Sequence, residues 1–504
     1  MISRKQLAGL IILITVVIII YLPSLPRPFL WDDHTVIVQN EFVRDPQNIK
    51  NVFNKKYFEL TKELSYRPVV SLTHLIDYTF YGLNPLGHDL TNLVLHLISA
   101  VLLYFFLILI IQSHAPAMAA VFLWALHPVH GEVVMCPSLR EDSIVMIFYL
   151  ICMIFMIKLL KRDGENRSRG VIFIIICVSY ILGLLSKENM IMFIPSILVL
   201  DLCGKKVFKN WREWDLKKIM YYYVLGGISF LYLILRFIVM RSPSEETVVR
   251  PAQGIINNIL TAGNVFIEYI GTLFYPKKPA VSYIAMTIDR HMLGIRGFAV
   301  IMFFIACIGI AVYLYKRNIK SFVMLFLFFI LLLPVSNIIT IANLKADRYL
   351  YLPSAFFICA IVYYVYNLGL ANKKIFQAGK IISVIYILFF TAISISNTRY
   401  WADEYLFYKT NLEHSPDSAK LHFNMATVLM EREEYEEALN EYRQSLSNDR
   451  IKDKAYVQIG LITTLLNGAY NEAIFFFQEA LSINPNNKEA EYCLAIAKSK
   501  IKEL

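Results

Sequence analysis

Two adjacent carboxylates, Asp32 and Asp33, are the clearest candidates for chemistry, and they directly follow the first long apolar run of the sequence. Adjacent carboxylates repel each other, and beside a boundary of low dielectric constant one of them can take up a proton near neutral pH. Such a group can accept the proton of a hydroxyl during a transfer reaction. A solvated Asp-Asp turn or a helix cap uses the same residues, so the pair alone leaves both interpretations open.

A second set of polar residues lies in the segment GLNPLGHDLTNLVLH. His88, Asn92 and His96 are spaced four apart, which places them on one face of a helix. Inside a membrane such a face must point at protein or at a water-filled cavity. A role in ligand binding and hydrogen bonding between helices explain the pattern equally well.

The segment ALHPVHGEVV and two short charged turns supply further polar side chains. We expect them to shape a polar pocket close to the membrane surface. They are His127, His130, Glu132, Glu188 and Asp347. Their spacing differs from the HExxH motif of zinc proteases, so metalloprotease chemistry is excluded and no metal ligand is predicted.

Four basic residues flank the same polar segments. They are Arg67, Arg140, Lys187 and Arg348. Cations at one level of a membrane can bind the phosphate group of a lipid. Each one alone could instead be an anchor that extends to the interface, but four together favour a binding site.

All of these residues need a membrane framework, because 57% of the sequence is hydrophobic, only 17% is charged and the mean hydropathy is +0.52. About twenty apolar residues cross the hydrocarbon layer. The sequence therefore predicts an all-α, polytopic membrane helix bundle of about eleven spans. The predicted spans cover residues 7–22, 89–111, 116–135, 143–160, 171–186, 188–203, 219–240, 297–315, 321–342, 351–370 and 381–397.

Basic residues orient these spans. Arg4 and Lys5 precede the first span, which lacks a small-x-small cleavage site and is interpreted as retained. The later basic clusters begin at Lys161, Lys205, Lys316 and Lys373, and all fall on the same side. The positive-inside rule then makes the N-terminus cytoplasmic and places the candidate residues outside, beside outer loops 23–88 and 241–296. Within the second loop, residues 255–275 are predicted to form an interfacial or re-entrant helix.

The C-terminal part of the chain turns polar and repeats itself with a period of about thirty-five residues. Ala438, Tyr442 and Ser445 correspond to Ala473, Phe477 and Ala480. Small residues around an aromatic one allow paired helices to approach closely, as in tetratricopeptide repeats. The predicted organisation is a membrane domain over residues 1–397, a linker helix over 398–417 and extracytoplasmic repeats over 418–504.

Several classes of protein are excluded. The seven cysteines form no CxxC pair, and neither GxxxxGK[ST] nor a strand followed by GxGxxG is present. The net charge of +10 comes from clusters between apolar runs, so no nucleic-acid partner is predicted. A transferase that works outside the cytoplasm without a nucleotide site needs a donor that is already activated on a lipid carrier.

The motifs taken together resemble the transmembrane and tetratricopeptide-repeat O-mannosyltransferase family. The similar segments run over about residues 7–485 and read FLWDDHTVIVQN, YRPVVSLTHLIDYTFYGLNPLGHDLTNLVLH, LHPVHGEVV, LGLLSKENMIMFIP and ADRYLYLPS. This family belongs to the GT-C type glycosyltransferases, which use sugars carried on polyprenyl phosphate. The resemblance therefore implies a GT-C-like bundle.

The resemblance also implies roles for particular residues. An acidic residue of the first outer loop is the catalytic base in such enzymes, and by position it corresponds to Asp32 or Asp33. The implied reaction is an inverting transfer of mannose or another hexose from a polyprenyl- or dolichyl-phosphate sugar to Ser or Thr of a protein docked by the repeats. Arg67, Arg140 and Lys187, together with Arg348, would stabilise the phosphate leaving group. No cofactor is implied beyond this donor substrate, and metal dependence stays open.

Two other classes of function compete with this interpretation. A non-catalytic membrane scaffold would use the repeats to recruit an envelope or secretion assembly, but it leaves the outer acids and cations without a purpose. A lipid-linked glycan polymerase or flippase shares the many spans but has less use for repeats. The Ile- and Lys-rich sequence favours a multi-pass protein of a prokaryotic plasma (inner) membrane.

Overall fold

The computed structural model describes residues 3–25, 27–61, 65–161, 166–208, 211–239, 255–276, 294–338 and 343–503. Within these ranges the chain forms helices and turns, and its one isolated β-bridge joins Lys161 to Trp211. The chain divides into a first, membrane-type unit over residues 1–281 and 285–399 and a second unit that includes residues 400–504. Most of the predicted second outer loop, residues 241–254 and 277–293, lies outside the described residues.

The first unit contains fifteen α-helices within the described residues. They are α1 Arg4–Tyr21, α2 Lys56–Thr61, α3 Pro68–Tyr81, α4 Pro85–Ile111, α5 His114–Ala125, α6 Gly131–Met135, α7 Glu141–Leu160, α8 Asn166–Leu184, α9 Phe193–Val207, α10 Leu216–Val239, α11 Ile255–Phe274, α12 Ile295–Arg317, α13 Ile319–Leu332, α14 Tyr351–Ala371 and α15 Lys373–Ala402. Each of the eleven predicted spans overlaps at least one of these helices. The predicted all-α class of membrane protein is therefore confirmed.

The described helices account for most of the predicted spans. Seven of the described helices are long and apolar enough to cross a membrane, and the count is eight if α5 and Pro128–Met135, which meet at a bend of 52°, form one span. Two further apolar helices, Arg169–Leu184 and Ile319–Val335, are shorter. Because a helix rises about 1.5 Å per residue, such lengths lie near the lower limit for crossing a hydrocarbon layer of about 30 Å. The predicted count included such short helices.

Residues 255–275 form helix α11, which is not among the helices that meet the length and hydropathy criteria for a span. One face of α11 is buried and carries Ala262, Phe266 and Tyr269. The hydroxyl of Tyr269 donates to the carbonyl oxygen of Ala346 at 3.3 Å. The interfacial position of α11 remains a prediction.

A tight hairpin joins α3 to α4 and determines which residues lie at the start of α4. Gly82 ends α3 with φ +58°, a left-handed conformation that favours glycine. Asn84 then caps α4, because its side chain accepts from the backbone N–H of Leu86 at 3.1 Å, and Pro85 occupies the first helical position. The first turn of α4 therefore packs against α3.

Helix α4 is the central element of the first unit and packs against α1, α3, α5 and α7. One face of α4 is polar and fully buried, and it carries His88, Asn92 and His96 as the four-residue spacing predicts. Because these polar groups lie inside the helix bundle, they need partners from neighbouring helices. Those partners include residues of the candidate site.

The second unit begins near the end of α15 and contains six helices. They are α16 Glu404–His414, α17 Ala419–Glu431, α18 Tyr435–Ser445, α19 Asp449–Asn467, α20 Tyr470–Ile483 and α21 Lys488–Glu503. The predicted linker over residues 398–417 is interrupted at Asp403, whose side chain caps α16 by accepting from the backbone N–H of Leu406 at 2.9 Å. A new helix therefore begins at Glu404.

Helices α17 and α18 form one hairpin, and α19 and α20 form the next. The small and aromatic residues that define the repeat are buried in both hairpins. A Cβ atom added to Gly460 of α19 would lie 2.6 Å from the ring of Phe477, so these two helices touch at a position where only glycine fits. The predicted tetratricopeptide-type packing is confirmed.

Replacing Phe477 by Ala is expected to destabilise the second hairpin by about 3–5 kcal/mol, because the ring is 1% exposed among Ala473, Val457 and Ala480. The matched control is Phe475→Ala on the same helix, where the side chain is 55% exposed. Limited proteolysis of the full chain should cut the tail of the Phe477 variant faster and leave the control unchanged. Equal cleavage of both variants would contradict this packing.

Candidate active site

Asp33 lies in a buried pocket in the loop after α1. One carboxylate oxygen accepts from the backbone N–H of Ser138 at 2.9 Å, and the other accepts from the backbone N–H of Leu30 at 3.2 Å. The thiol of Cys136 lies 3.5 Å from the first oxygen. Burial, followed by the charge of Asp33, raises the pKa of this thiol well above its usual value. Asp33 therefore faces a protonated thiol and two backbone donors.

Arg27 provides the charge that balances this pocket. Its guanidinium is buried, forms an ion pair of 2.7 Å with Asp89 and lies 3.5 Å from Asp33. Burial lowers the pKa of Arg27, but the two carboxylates outweigh it, so the pKa lies above its ordinary value. Arg27 was not predicted as a site residue, because its partner Asp89 is 62 positions away in the sequence.

Asp32 has different surroundings from Asp33. Its side chain is partly exposed, while its carbonyl oxygen accepts from the backbone N–H groups of Thr35 and Val36 at 3.1 and 2.9 Å. The preceding residue, Trp31, has φ +53°, which is uncommon for a bulky side chain. Such strain persists only where surrounding structure enforces it, and it often occurs at functional sites. The tight turn therefore separates the environments of the two carboxylates.

Arg140 is fully buried behind this pocket. It forms an ion pair of 2.6 Å with Asp77, and its Nε donates to the side-chain oxygen of Asn92 at 2.9 Å. A second guanidinium nitrogen donates to the carbonyl oxygen of His88 at 3.2 Å. Arg140 therefore connects α3, α4 and α7. The structure places it with Arg27 and Asp33 and gives it a carboxylate partner.

The other three predicted cations lie in a second charged cluster at the start of α7. Arg67 pairs with Glu141 at 2.9 Å, and Lys187 lies 3.7 Å from the same carboxylate. Lys187 also pairs with Asp142 at 2.6 Å. Of these side chains, that of Arg67 is the most exposed, at 22%. Glu141 therefore bridges two of the cations that the sequence predicts for phosphate binding.

Arg348 belongs to the same part of the bundle and binds Glu132. The guanidinium of Arg348 and its backbone N–H both donate to the Glu132 carboxylate, the backbone bond being 2.8 Å long. Asp347, the preceding residue, is also buried and begins the 3₁₀ turn Asp347–Leu350. Glu188 lies at the rim, 3.4 Å from Arg236. Carboxylates thus accompany every one of the four predicted cations.

The remaining predicted residues are histidines that are buried inside the helix bundle. His96 interacts with the Tyr351 hydroxyl at 2.8 Å and with the Ala125 carbonyl oxygen at 3.1 Å. His127 hydrogen-bonds to the carbonyl oxygen of Leu273 at 3.0 Å. For His96, these contacts match hydrogen bonding between helices, which was one of the two interpretations of its position on α4. His130 is buried with no hydrogen-bond partner in the part of the chain that the structure describes.

The predicted residues therefore form two adjacent groups instead of one cluster of four cations. One group contains Asp33, Arg140, His88 and Asn92, and the other contains the remaining three cations with Glu132. Arg140 and Glu141 are neighbours in the chain and join the two groups. Sequence reasoning missed Arg27, Asp77 and Asp89, although Asp89 directly follows His88 in a polar stretch of an otherwise apolar helix.

Comparison with known proteins supports the class of protein that these features suggest. Residues 80–238 match the family model described as dolichyl-phosphate-mannose-protein mannosyltransferase. Residues 453–487 match a tetratricopeptide repeat model. The first match contains α4, α7 and the polar residues between them. The chain thus combines a mannosyltransferase-like membrane segment with repeats.

Individual relatives agree with this combination. The chain is 26% identical over 447 residues to the protein O-mannosyl-transferase F38B6.6 of Caenorhabditis elegans, covering 85% of this chain and 61% of that protein. It is 23% identical to the protein O-mannosyl-transferase TMTC3 of Mus musculus, covering 94% of this chain and 54% of that protein. The predicted resemblance to the transmembrane and tetratricopeptide-repeat O-mannosyltransferase family is confirmed, although this chain spans only about half to three fifths of these two relatives.

Among solved structures, the chain is similar to ArnT from Cupriavidus metallidurans in the apo state. The TM-score is 0.40 at 11% identity, with 94% of this chain and 80% of that chain covered. The chain is a multi-pass membrane protein similar to protein O-mannosyl-transferases.

Replacing Glu132 by Gln is expected to lower the stability of the membrane unit by about 3–5 kcal/mol, because it leaves the buried guanidinium of Arg348 without a balancing charge. The matched control is Glu213→Gln, which removes an ion pair with Lys205 whose side chains are 66% and 68% exposed. Thermal unfolding of the purified protein in detergent should show a lower Tm only for Glu132→Gln. A Tm equal to that of the unchanged protein would contradict a structural role for this pair.

Proposed function

We propose that this protein is a membrane glycosyltransferase that moves a hexose, such as mannose, from a polyprenyl-phosphate carrier to Ser or Thr hydroxyls of proteins outside the cytoplasm. The observation that carries the proposal is the position of Asp33 beside the buried, ion-paired Arg27, with Asp32 preceding it, in a chain similar to protein O-mannosyl-transferases. A scaffold has no need to bury so many charged groups at the ends of membrane helices, because burying charges is costly even when they are paired.

Asp32 is the better candidate for the catalytic base. Both carboxylate oxygens of Asp33 already accept from backbone N–H groups, and Arg27 lies beside them. Asp33 is therefore suited to position the loop. The partly exposed side chain of Asp32, held by the turn at Trp31, is accessible to an acceptor hydroxyl.

The proposed step is an inverting displacement. The acceptor hydroxyl oxygen attacks the anomeric carbon of the sugar, and Asp32 takes the hydroxyl proton. The bond between the anomeric carbon and the phosphate oxygen breaks, and its electrons leave with the lipid phosphate. The sugar is thereby bonded to the protein oxygen with inverted configuration, and the reaction needs no oxidant or nucleotide.

The lipid phosphate carries negative charge that must be stabilised as it leaves. Arg67, Lys187 and Arg348 can serve this purpose, because they lie in one charged cluster and Arg67 is partly exposed. Their carboxylate partners hold the cations in place before the donor binds. Arg140 is better suited to positioning, because its guanidinium is fully buried on Asp77 and Asn92.

The helical repeats have a separate role in this proposal. Tetratricopeptide arrays are docking modules more often than catalytic ones. We propose that the repeats dock the acceptor protein. This role requires the repeats and the outer loops to lie on the same side of the membrane. The N-terminus is then cytoplasmic, as the basic clusters predict.

Asp32→Asn is expected to reduce transfer from a polyprenyl-phosphate hexose to a Ser/Thr peptide by about 10²-fold or more, because the base is lost, while Tm is unchanged. Asp33→Asn should lower both transfer and Tm, because Arg27 loses a partner. The control is Glu59→Gln, which alters an exposed acid of the same loop. Full transfer by Asp32→Asn would exclude Asp32 as the base, and no effect of either change would favour a scaffold.

Cells that lack the protein should lose hexoses on Ser or Thr of envelope proteins, as measured by mass spectrometry of glycopeptides. A glycan polymerase or flippase would instead change lipid-linked or surface glycans and leave these protein sites occupied. Restoring the gene with Asp32→Asn should not restore the glycopeptides. Their restoration would contradict the catalytic proposal.

A further inference from the structure

A cluster of two histidines and one aspartate lies where α3 meets α4. His74 and Asp77 are three residues apart on α3, so they share one face of that helix. His88 approaches them from the first turn of α4. One possible ligand atom from each residue lies within 4.8 Å of the others, and all three residues are buried. The hairpin at Gly82 brings them together.

The ring nitrogens of this cluster are available for a ligand. His88 Nε2 lies 3.0 Å from the carbonyl oxygen of Gly82, so this nitrogen carries the proton. The tautomer leaves a lone pair on Nδ1, which lies 3.6 Å from a carboxylate oxygen of Asp77. Both nitrogens of His74 are buried without a hydrogen-bond partner in the described part of the chain. Buried polar groups without partners are uncommon and require an explanation.

The separation of His88 and Asp77 suits two ligands of a metal ion that takes nitrogen and oxygen. Two ligand atoms of a tetrahedral zinc site lie roughly 3.4 Å apart, close to the separation between His88 Nδ1 and Asp77. The second oxygen of Asp77 accepts from the hydroxyl of Thr91 at 2.8 Å, and Arg140 holds the first. Partners of this kind orient a ligating carboxylate. The hydrogen bond from His88 to Gly82 has the same effect on an imidazole.

The charges around the cluster also favour an added cation. Arg27 and Arg140 are buried with three carboxylates, those of Asp33, Asp77 and Asp89. Two positive and three negative groups leave one negative charge without compensation. Burial of such a charge is costly, so a bound cation or a proton must offset it. A proton would balance this charge but would leave the unpartnered imidazole nitrogens of His74 unused, whereas a metal ion would bind them together with the Asp77 carboxylate.

We propose that His74, Asp77 and His88 bind one divalent transition-metal ion. Zn²⁺ is the best match, because two imidazoles and a carboxylate are typical zinc ligands, whereas Mg²⁺ and Ca²⁺ prefer oxygen. The ion would fasten α3 to α4 and fix the carboxylate to which Arg140 is bound. This structural role does not rest on the proposed transfer reaction.

The test measures metal bound to the full chain, purified without a histidine tag and dialysed against a weak chelator. Zinc is quantified by mass spectrometry for the unchanged protein and for His74→Ala. The matched control is His130→Ala, because His130 is likewise buried without a hydrogen-bond partner among the described residues. The expected result is one zinc per chain in the unchanged protein and the control, and none in His74→Ala.

A ligand exchange keeps the test decisive if His74→Ala fails to fold. His74→Cys replaces one zinc ligand by another, so it should retain the metal, whereas His74→Phe fills the space and should lose it. Size-exclusion profiles report the fold of each variant. The proposal is overturned if the unchanged protein retains no zinc, which leaves a proton as the compensating charge. It is also overturned if the folded His74→Phe variant retains as much zinc as the unchanged protein, because the ion is then adventitious.

Discussion

Charge compensation away from water is the constraint on which this membrane unit depends. Arg27, Arg140 and Arg348 are all buried, and each lies against at least one carboxylate from a different part of the chain. A buried guanidinium without such a partner would cost several kcal/mol. The ion pairs therefore determine how the loop after α1 and the helices α3, α4 and α7 must meet. The ion pair with Arg27 also holds Asp33 in place, and with it the preceding residue, Asp32.

The same constraint explains how one site can hold both acids and cations. Arginines and lysines without partners would not stay buried, and acids without partners would become protonated. Paired, they are fixed before any substrate arrives, which is the preorganisation that electrostatic stabilisation needs. A lipid phosphate would exchange one set of negative partners for another at Arg67 and Lys187. The cluster is thus suited to an anion that arrives and leaves.

Much of this arrangement is visible in the sequence, and the rest depends on tertiary contacts. The repeat positions around Tyr442 and Phe477 follow from periodicity, and the polar face of α4 follows from the spacing of His88 and Asn92. The ion pair between Arg27 and Asp89 cannot be predicted from the sequence, because it joins a loop to a helix 62 positions further along the chain. The bend of 52° between α5 and Pro128–Met135 is likewise a feature that hydropathy does not measure.

The account requires that the candidate base and the repeats face one compartment, because an acceptor held by the tail must reach Asp32. Single cysteines at the exposed positions Gln39 and Glu433, each in a variant that lacks all seven native cysteines, report this directly. A membrane-impermeant maleimide added to intact cells should label both cysteines. The account would be contradicted if the maleimide labelled only one of the two cysteines in intact cells and labelled the other only after the membrane was permeabilised.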